Sequence, residues 1–246
     1  MENTGCGLCN RKCRVDRDNG EKGFCGETSE IRCGRAALHM WEEPCISGTR
    51  GSGTVFFTGC VLKCVFCQNS VLAESKVGKP VTVSRLAEIF LELQNKGAHN
   101  INLVTPTHFV PSIRESIILA KKNGLTLPIV YNTGSYESVD TIKSLEGLVD
   151  IYLPDLKYVS SELSKKYSKA PDYFETAKKA IGEMVRQAGT PEFDDDGIMK
   201  KGVIVRHLLL PGCITDSKNV IKYLYDTYRD DIFISIMNQY LSLIHI

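Results

Sequence analysis

No apolar run in this sequence approaches the ~18 residues that cross a bilayer, and the polar N-terminus lacks the apolar core of an export signal. Both absences predict a soluble, cytoplasmic protein with no membrane partner. Net charge is nearly absent too: 30 Lys and Arg face 29 Asp and Glu, leaving +1. Neither nucleic acid nor an anionic surface is expected as a partner on that balance. There is one tryptophan, no internal repeat and no low-complexity tract. Apolar residues make up 43% and charged residues 24%, an ordinary globular composition.

What the 246 residues hold in excess is cysteine. There are ten, nine before residue 68 and the tenth at Cys213. Disulfides need an oxidising compartment, which nothing here indicates, so clustered thiols point to metal ligation.

Texture divides the chain near residue 50. Residues 1–50 are rich in Cys, Gly and charge without a sustained period, and read as a small Cys-rich segment. From Gly53 on, short apolar runs alternate with amphipathic stretches. The runs are 54–57, 101–104, 128–131, 149–153, 203–210 and 232–237, each suited to a strand buried on both faces. Between them, Val83, Leu86, Ile89 and Leu93 step at helical spacing. Ser112 and Glu115 form a capping box, and Asp216 is placed as a helix cap. Residues 190–202 read as a polar loop. Five helices alternating with six strands imply an α/β fold with a parallel sheet. Sites of such folds lie at the C-terminal ends of the strands.

The first run leads into Cys60, Cys64 and Cys67, spaced C-x3-C-x2-C. Structural zinc closes with four ligands, and catalytic zinc usually includes His or carboxylate. A cubane iron–sulfur cluster held by three thiolates keeps one iron open to a ligand. The spacing, the preceding strand and Phe66 before the last cysteine resemble the radical S-adenosylmethionine (SAM) superfamily. The stretches 41–48, 103–109, 155–158 and 235–240 are similar to the proteins grouped with pyruvate formate-lyase activating enzyme, relatives of the glycyl-radical activases. The resemblance covers nearly the whole chain.

It implies a partial (β/α)6 barrel over 51–246 and a 4Fe–4S cluster on Cys60, Cys64 and Cys67. It further implies reductive cleavage of SAM to a 5′-deoxyadenosyl radical that takes hydrogen from a substrate. Implied partners are SAM, an electron donor such as flavodoxin or ferredoxin, and a protein substrate. Asp155 and Lys157 match the family's D-x-K, with Lys157 facing the SAM carboxylate. Asn132 and Thr133 fall at a polar turn near the ribose, Arg206 and His207 at a basic position on the fifth strand, and Asn238 on the sixth. Where many relatives carry Gly-Gly-Glu, this chain has Thr105-Pro106-Thr107, so Thr105 and Thr107 stand in as SAM contacts.

Cys6, Cys9, Cys13 and Cys25 offer four further thiolates, suited to zinc or a second Fe–S cluster. Cys213 reads as a packed thiol, and His39 and Trp41 as local packing. The chain stops just after the sixth run, and its last residues look like a truncated end. The competing reading is a non-catalytic module holding zinc or Fe–S.

Overall fold

The computed structural model describes residues 5–239; the expected truncated end lies outside them. Three strands come early: β1 (Arg32–His39), β2 (Ser52–Phe57) and the short β3 (Lys79–Pro80), with short helices α1 (Pro44–Ser47) and α2 (Ser70–Ala73) between. Strand and helix then alternate: α3 (Val83–Asn95), β4 (Ile101–Val104), α4 (Val110–Lys122), β5 (Ile129–Thr133), α5 (Val139–Lys143) and β6 (Ile151–Pro154). Helices α6 (Ser161–Ser168) and α7 (Tyr173–Ala188) precede a hairpin of β7 (Glu192–Phe193) and β8 (Met199–Leu208). Helix α8 (Ile214–Tyr228) and β9 (Phe233–Met237) follow.

Strands β2, β4, β5, β6, β8 and β9 pair side by side in that order, every pair parallel. These are the six apolar runs. A flat sheet of six strands would put its first and last about 24 Å apart, at ~4.8 Å per step. Instead Gln68, after β2, donates through Nε2 to the Gln239 carbonyl, after β9, at 3.0 Å. The sheet therefore curls, and the strand ends face a common interior. A sixth helix would fall beyond Gln239, outside the described residues.

Period-2 alternation sorts the side chains. Val55, Phe57, Ile101, Leu103, Ile129, Tyr131, Tyr152, Val203 and Val205 join the main core with the helices. The alternate residues Val130, Ile151, Leu153 and Ile204 form a separate apolar cluster with Ile46 and Met199 inside the curl. Helix α3 forms as its spacing predicts. Thr82 accepts from the Arg85 N–H at 3.1 Å, and Leu86, Ile89, Phe90 and Leu93 are buried.

Three local expectations are corrected, and one helix was not expected. The Ser112 capping box is not used: α4 starts at Val110 with Pro111 in its first turn, because a 3-10 turn (Thr107–Phe109) runs straight into it. Asp216 does not cap α8. It lies inside the first turn and accepts from the N–H groups of Val159 (3.2 Å) and Ser160 (2.8 Å). Helix α6 was not legible, since its eight residues are mostly polar. Residues 190–202 are not all loop, because β7 and β8 pair there.

The N-terminal segment is stitched to the barrel. Strand β1 adds antiparallel to β2. Arg11 donates to the carbonyls of Val61, Ser168 and Lys169 at 2.8, 3.1 and 2.6 Å, and Thr141 donates to the Leu8 carbonyl at 2.8 Å.

Candidate functional site

The loop after β2 carries the three cysteines. Gly59 is required at its start: φ is +79°, and a Cβ would come within 2.6 Å of the Glu27 side chain and 2.9 Å of the Cys25 carbonyl. The Cys60 N–H donates to that same carbonyl at 3.3 Å. The Cys67 N–H donates to the Cys64 carbonyl at 3.1 Å, which tightens the turn. Phe66 packs edge-on against Tyr158 and Tyr167.

All three cysteines line one cavity of about 250 Å³. Its other walls include Thr105, Thr107, Asn132, Thr133, Asp155, Lys157 and Arg206, from the ends of β4, β5, β6 and β8. Seven sequence-expected residues thus surround the loop. Arg206 engages three partners. Its Nε donates to Asp155 Oδ1 (3.0 Å), Nη1 to Glu42 Oε1 (2.8 Å) and Nη2 to Asn132 Oδ1 (2.7 Å). Lys157 Nζ donates to the other Asp155 oxygen at 2.6 Å.

Burial disfavours charge on Asp155, but Arg206 and Lys157 outweigh it and hold the carboxyl below its ordinary range. Burial likewise opposes the Lys157 ammonium, and Asp155 and Cys64 overcome that and keep it protonated.

Burial pushes Cys64 up to about 11, and raises Cys67 with help from Cys60. Among the described residues no group of three His, Cys, Asp or Glu side chains is drawn together to hold a metal ion, the loop triad included. Burial thus disfavours the thiolate form of Cys64 and Cys67. Their donor chemistry nevertheless fits an iron–sulfur cluster, whose soft irons take thiolates and supply the positive charge that burial otherwise denies them.

Two expected residues are not in this cavity. His207 is the neighbour of Arg206 on β8, so strand alternation turns it to the opposite face. There it is buried, with Nδ1 2.7 Å from the Leu156 carbonyl. Pairing both residues at one site ignored that parity. Asn238 is exposed and lines an adjoining cavity instead. Thr107 and Thr133 reach the wall, but their hydroxyls are taken. Both donate to Glu137 Oε1, Thr107 at 2.7 Å.

Glu137 and Glu42 were missed. Glu137 is fully buried, and burial raises it to about 7 against the hydroxyls of Thr133, Thr107 and Tyr131. No spacing in the sequence links it to the threonines. Glu42 comes from the N-terminal segment and enters the barrel from outside. Its Oε1 meets Arg206, and its Oε2 accepts from Asn102 (2.9 Å) and Asn132 (3.2 Å). Nothing in "WEEPC" distinguished it from a solvated acid. Trp41 beside it does not pack locally: it is 89% exposed. His39 packs edge-on against Phe56, as expected of local packing.

Of the four N-terminal cysteines, Cys9 and Cys25 are buried. Burial lifts Cys9 to about 12, with Cys13 and Cys25 adding to it. It raises Cys25 as well, with Cys6 and Cys13 adding to it. The four thiols are therefore electrostatic neighbours, though not drawn around one point.

Residues 54–212 match the Radical SAM superfamily. The chain belongs to that superfamily. The match begins in β2 and contains the whole cysteine loop. The chain is similar, at 29% identity over 244 residues, to an uncharacterized protein of Methanocaldococcus jannaschii, with 96% of this chain covered. It spans 65% of the length of that relative. Its fold is similar to that of the cobalamin- and [4Fe–4S]-bound radical SAM methyltransferase TsrM of Kitasatospora setae. There the TM-score is 0.51 and identity 14%, over 76% of this chain and 36% of that one. No helix among the described residues is long and apolar enough to cross a membrane.

Proposed function

We propose that this radical SAM protein is an enzyme that cleaves SAM reductively. In this reading a 4Fe–4S cluster sits on Cys60, Cys64 and Cys67, and the cavity beside it receives SAM. One observation carries the reading: three thiols, a lysine kept charged, an aspartate and an asparagine line a single cavity. A cluster held by Cys60, Cys64 and Cys67 would supply the electron, drawn from a donor such as flavodoxin or ferredoxin, that cleaves SAM to methionine and a 5′-deoxyadenosyl radical.

The chain's own residues bind and orient. Lys157 presents an ammonium to the SAM carboxylate, and Asp155 fixes its position. Asn132 and the backbone at Thr105 offer polar contacts to the amino group and ribose. Thr105 is held at φ +58°, its N–H bonded to the Asn132 carbonyl at 2.9 Å. Leu62, Val104, Leu208 and Met237 exclude water from the reacting atoms. The substrate in this reading is a protein, as for the activases the sequence resembles.

The test is anaerobic reconstitution, reduction and assay of 5′-deoxyadenosine. Cys64→Ala is expected to reduce product to background. A variant that still cleaves SAM, or a well-reconstituted wild type that does not, sinks the reading. Zinc with no iron in the purified protein would favour the non-catalytic module instead.

The N-terminal cysteines belong to the same proposal as a second site, for zinc or a further cluster. Their electrostatic coupling supports it. Cys25→Ser is then expected to remove metal that Cys64→Ala retains, measured by elemental analysis. Equal metal content in Cys25→Ser and wild type would refute it.

A further inference from the structure

A second cavity, of about 370 Å³, opens beside the first and shares Gln68, Asn69, Asn132, Arg206 and Met237 with it. Beyond the shared residues it is lined by Trp41, Glu43, Ser235 and Asn238. We propose that this outer cavity is the substrate subsite, and that it takes a substrate presenting a cationic nitrogen, ammonium or guanidinium. The proposal rests on the radical SAM reading, because it assigns the outer chamber of the same site.

The argument is one of charge that is spent and charge that is free. The cation in the wall, Arg206, has all three nitrogens committed to Asp155, Glu42 and Asn132. Two of its five N–H groups remain, but its charge is balanced by the Asp155 and Glu42 carboxylates. Lys157 is tied to Asp155 and belongs to the inner cavity. Both Glu42 oxygens are occupied. Glu43 differs. One oxygen accepts from the Ser235 hydroxyl at 2.9 Å, and no partner is recorded for the other among the described residues.

Across the two chambers, carboxylates Glu42, Glu43 and Asp155 face cations Arg206 and Lys157. The formal excess is one negative; Glu43 lines the outer chamber, where the Arg206 charge also reaches it. A half-buried carboxylate with an open oxygen selects a positive donor and rejects an anion. Trp41, exposed at the same mouth, adds a π-face to which a cation is also drawn. A charged side chain of a peptide and a free amine share this chemistry.

The probes are N-acetyl-lysine methylamide, its glutamine and glutamate counterparts, and n-butylamine. Each is titrated calorimetrically into reconstituted, oxidised full-length protein with SAM saturating, and again without SAM. The lysine probe is expected to bind at least tenfold more tightly than the glutamine probe, with no detectable binding of the glutamate probe. Glu43→Gln is expected to abolish the preference, and Glu43→Lys to reverse it toward glutamate, a gain that misfolding cannot mimic. Tighter binding of the lysine probe than of n-butylamine assigns a peptide-borne cation, and equal binding a free amine. Equal affinity for all probes, a preference that survives Glu43→Gln, or displacement of SAM by the lysine probe overturns the proposal. Failure of the protein to bind SAM overturns the catalytic reading alone, since the charge preference is also read without SAM.

Discussion

At the scale of single residues, the site depends on groups whose charge state is decided by burial. Glu137 is the clearest. Burial raises it from an ordinary 4.5 to about 7. Below pH 4.5 the carboxyl is neutral in both folded and unfolded chains and costs nothing. Between 4.5 and 7 the unfolded chain releases its proton first, so folded stability falls as pH rises across that window. We expect wild type to lose about 2–3 kcal/mol relative to Glu137→Gln between pH 4.5 and 8, by urea denaturation at each pH. A pH-independent difference would refute the assignment. Glu42 acts on its neighbours. Its removal leaves Arg206, with a side chain only 14% exposed, short of a partner. Breaking a nearly buried pair costs several kcal/mol, and partial exposure reduces that here. Glu42→Ala is expected to lower stability by about 2 kcal/mol, and Tm by roughly 4–8 °C in a chain of this size. It should also weaken SAM binding, because the Asp155–Lys157 pair is held through Arg206. An unchanged Kd for SAM would leave Glu42 a purely structural acid.

At the scale of elements, strand parity governs which residues can act. The six apolar runs show strands because β-branched and aromatic residues are dense in them, and all six are found. What the runs do not display is which face is interior, since both faces of a buried parallel strand are apolar. Arg206 and His207 look equivalent in sequence and face opposite ways in β8. Arg206→Gln is therefore expected to weaken SAM binding about tenfold or more, while His207→Gln changes it less than threefold. The comparison is by calorimetry on cluster-loaded protein, and the reverse order would contradict the parity. Short polar elements were illegible for a different reason. Helix α6 and the two-residue β7 carry little apolar periodicity, and α6 is held by a contact remote in sequence, Asp216 bonding the backbone ahead of it. Helix α3, by contrast, announces both its face and its cap. Losing the Thr82 hydroxyl in Thr82→Ala is expected to cost about 1 kcal/mol.

At the scale of the whole molecule, the N-terminal segment and the barrel share one sheet and one site. Strand β1 covers the edge of β2, the Cys25 carbonyl receives the Cys60 N–H, and Glu42 enters the interior. A chain of residues 51–246 alone would present an unpaired β2 edge. It is expected to aggregate on size-exclusion chromatography, and a monomer that binds SAM like the full chain would disprove this. The sequence by itself determined the alternation of strand and helix, the cysteine triad at the end of the first parallel strand, and the D-x-K pair, because these are local patterns carried by neighbouring residues. Only the tertiary structure decided that Glu42 meets Arg206, that Glu137 accepts from Thr107 and Thr133, and that His207 faces away from Arg206. Those outcomes depend on which face of a curled sheet a residue occupies and on partners up to 164 positions away. No local pattern encodes such a distance; burial and charge pairing inside the closed interior set it.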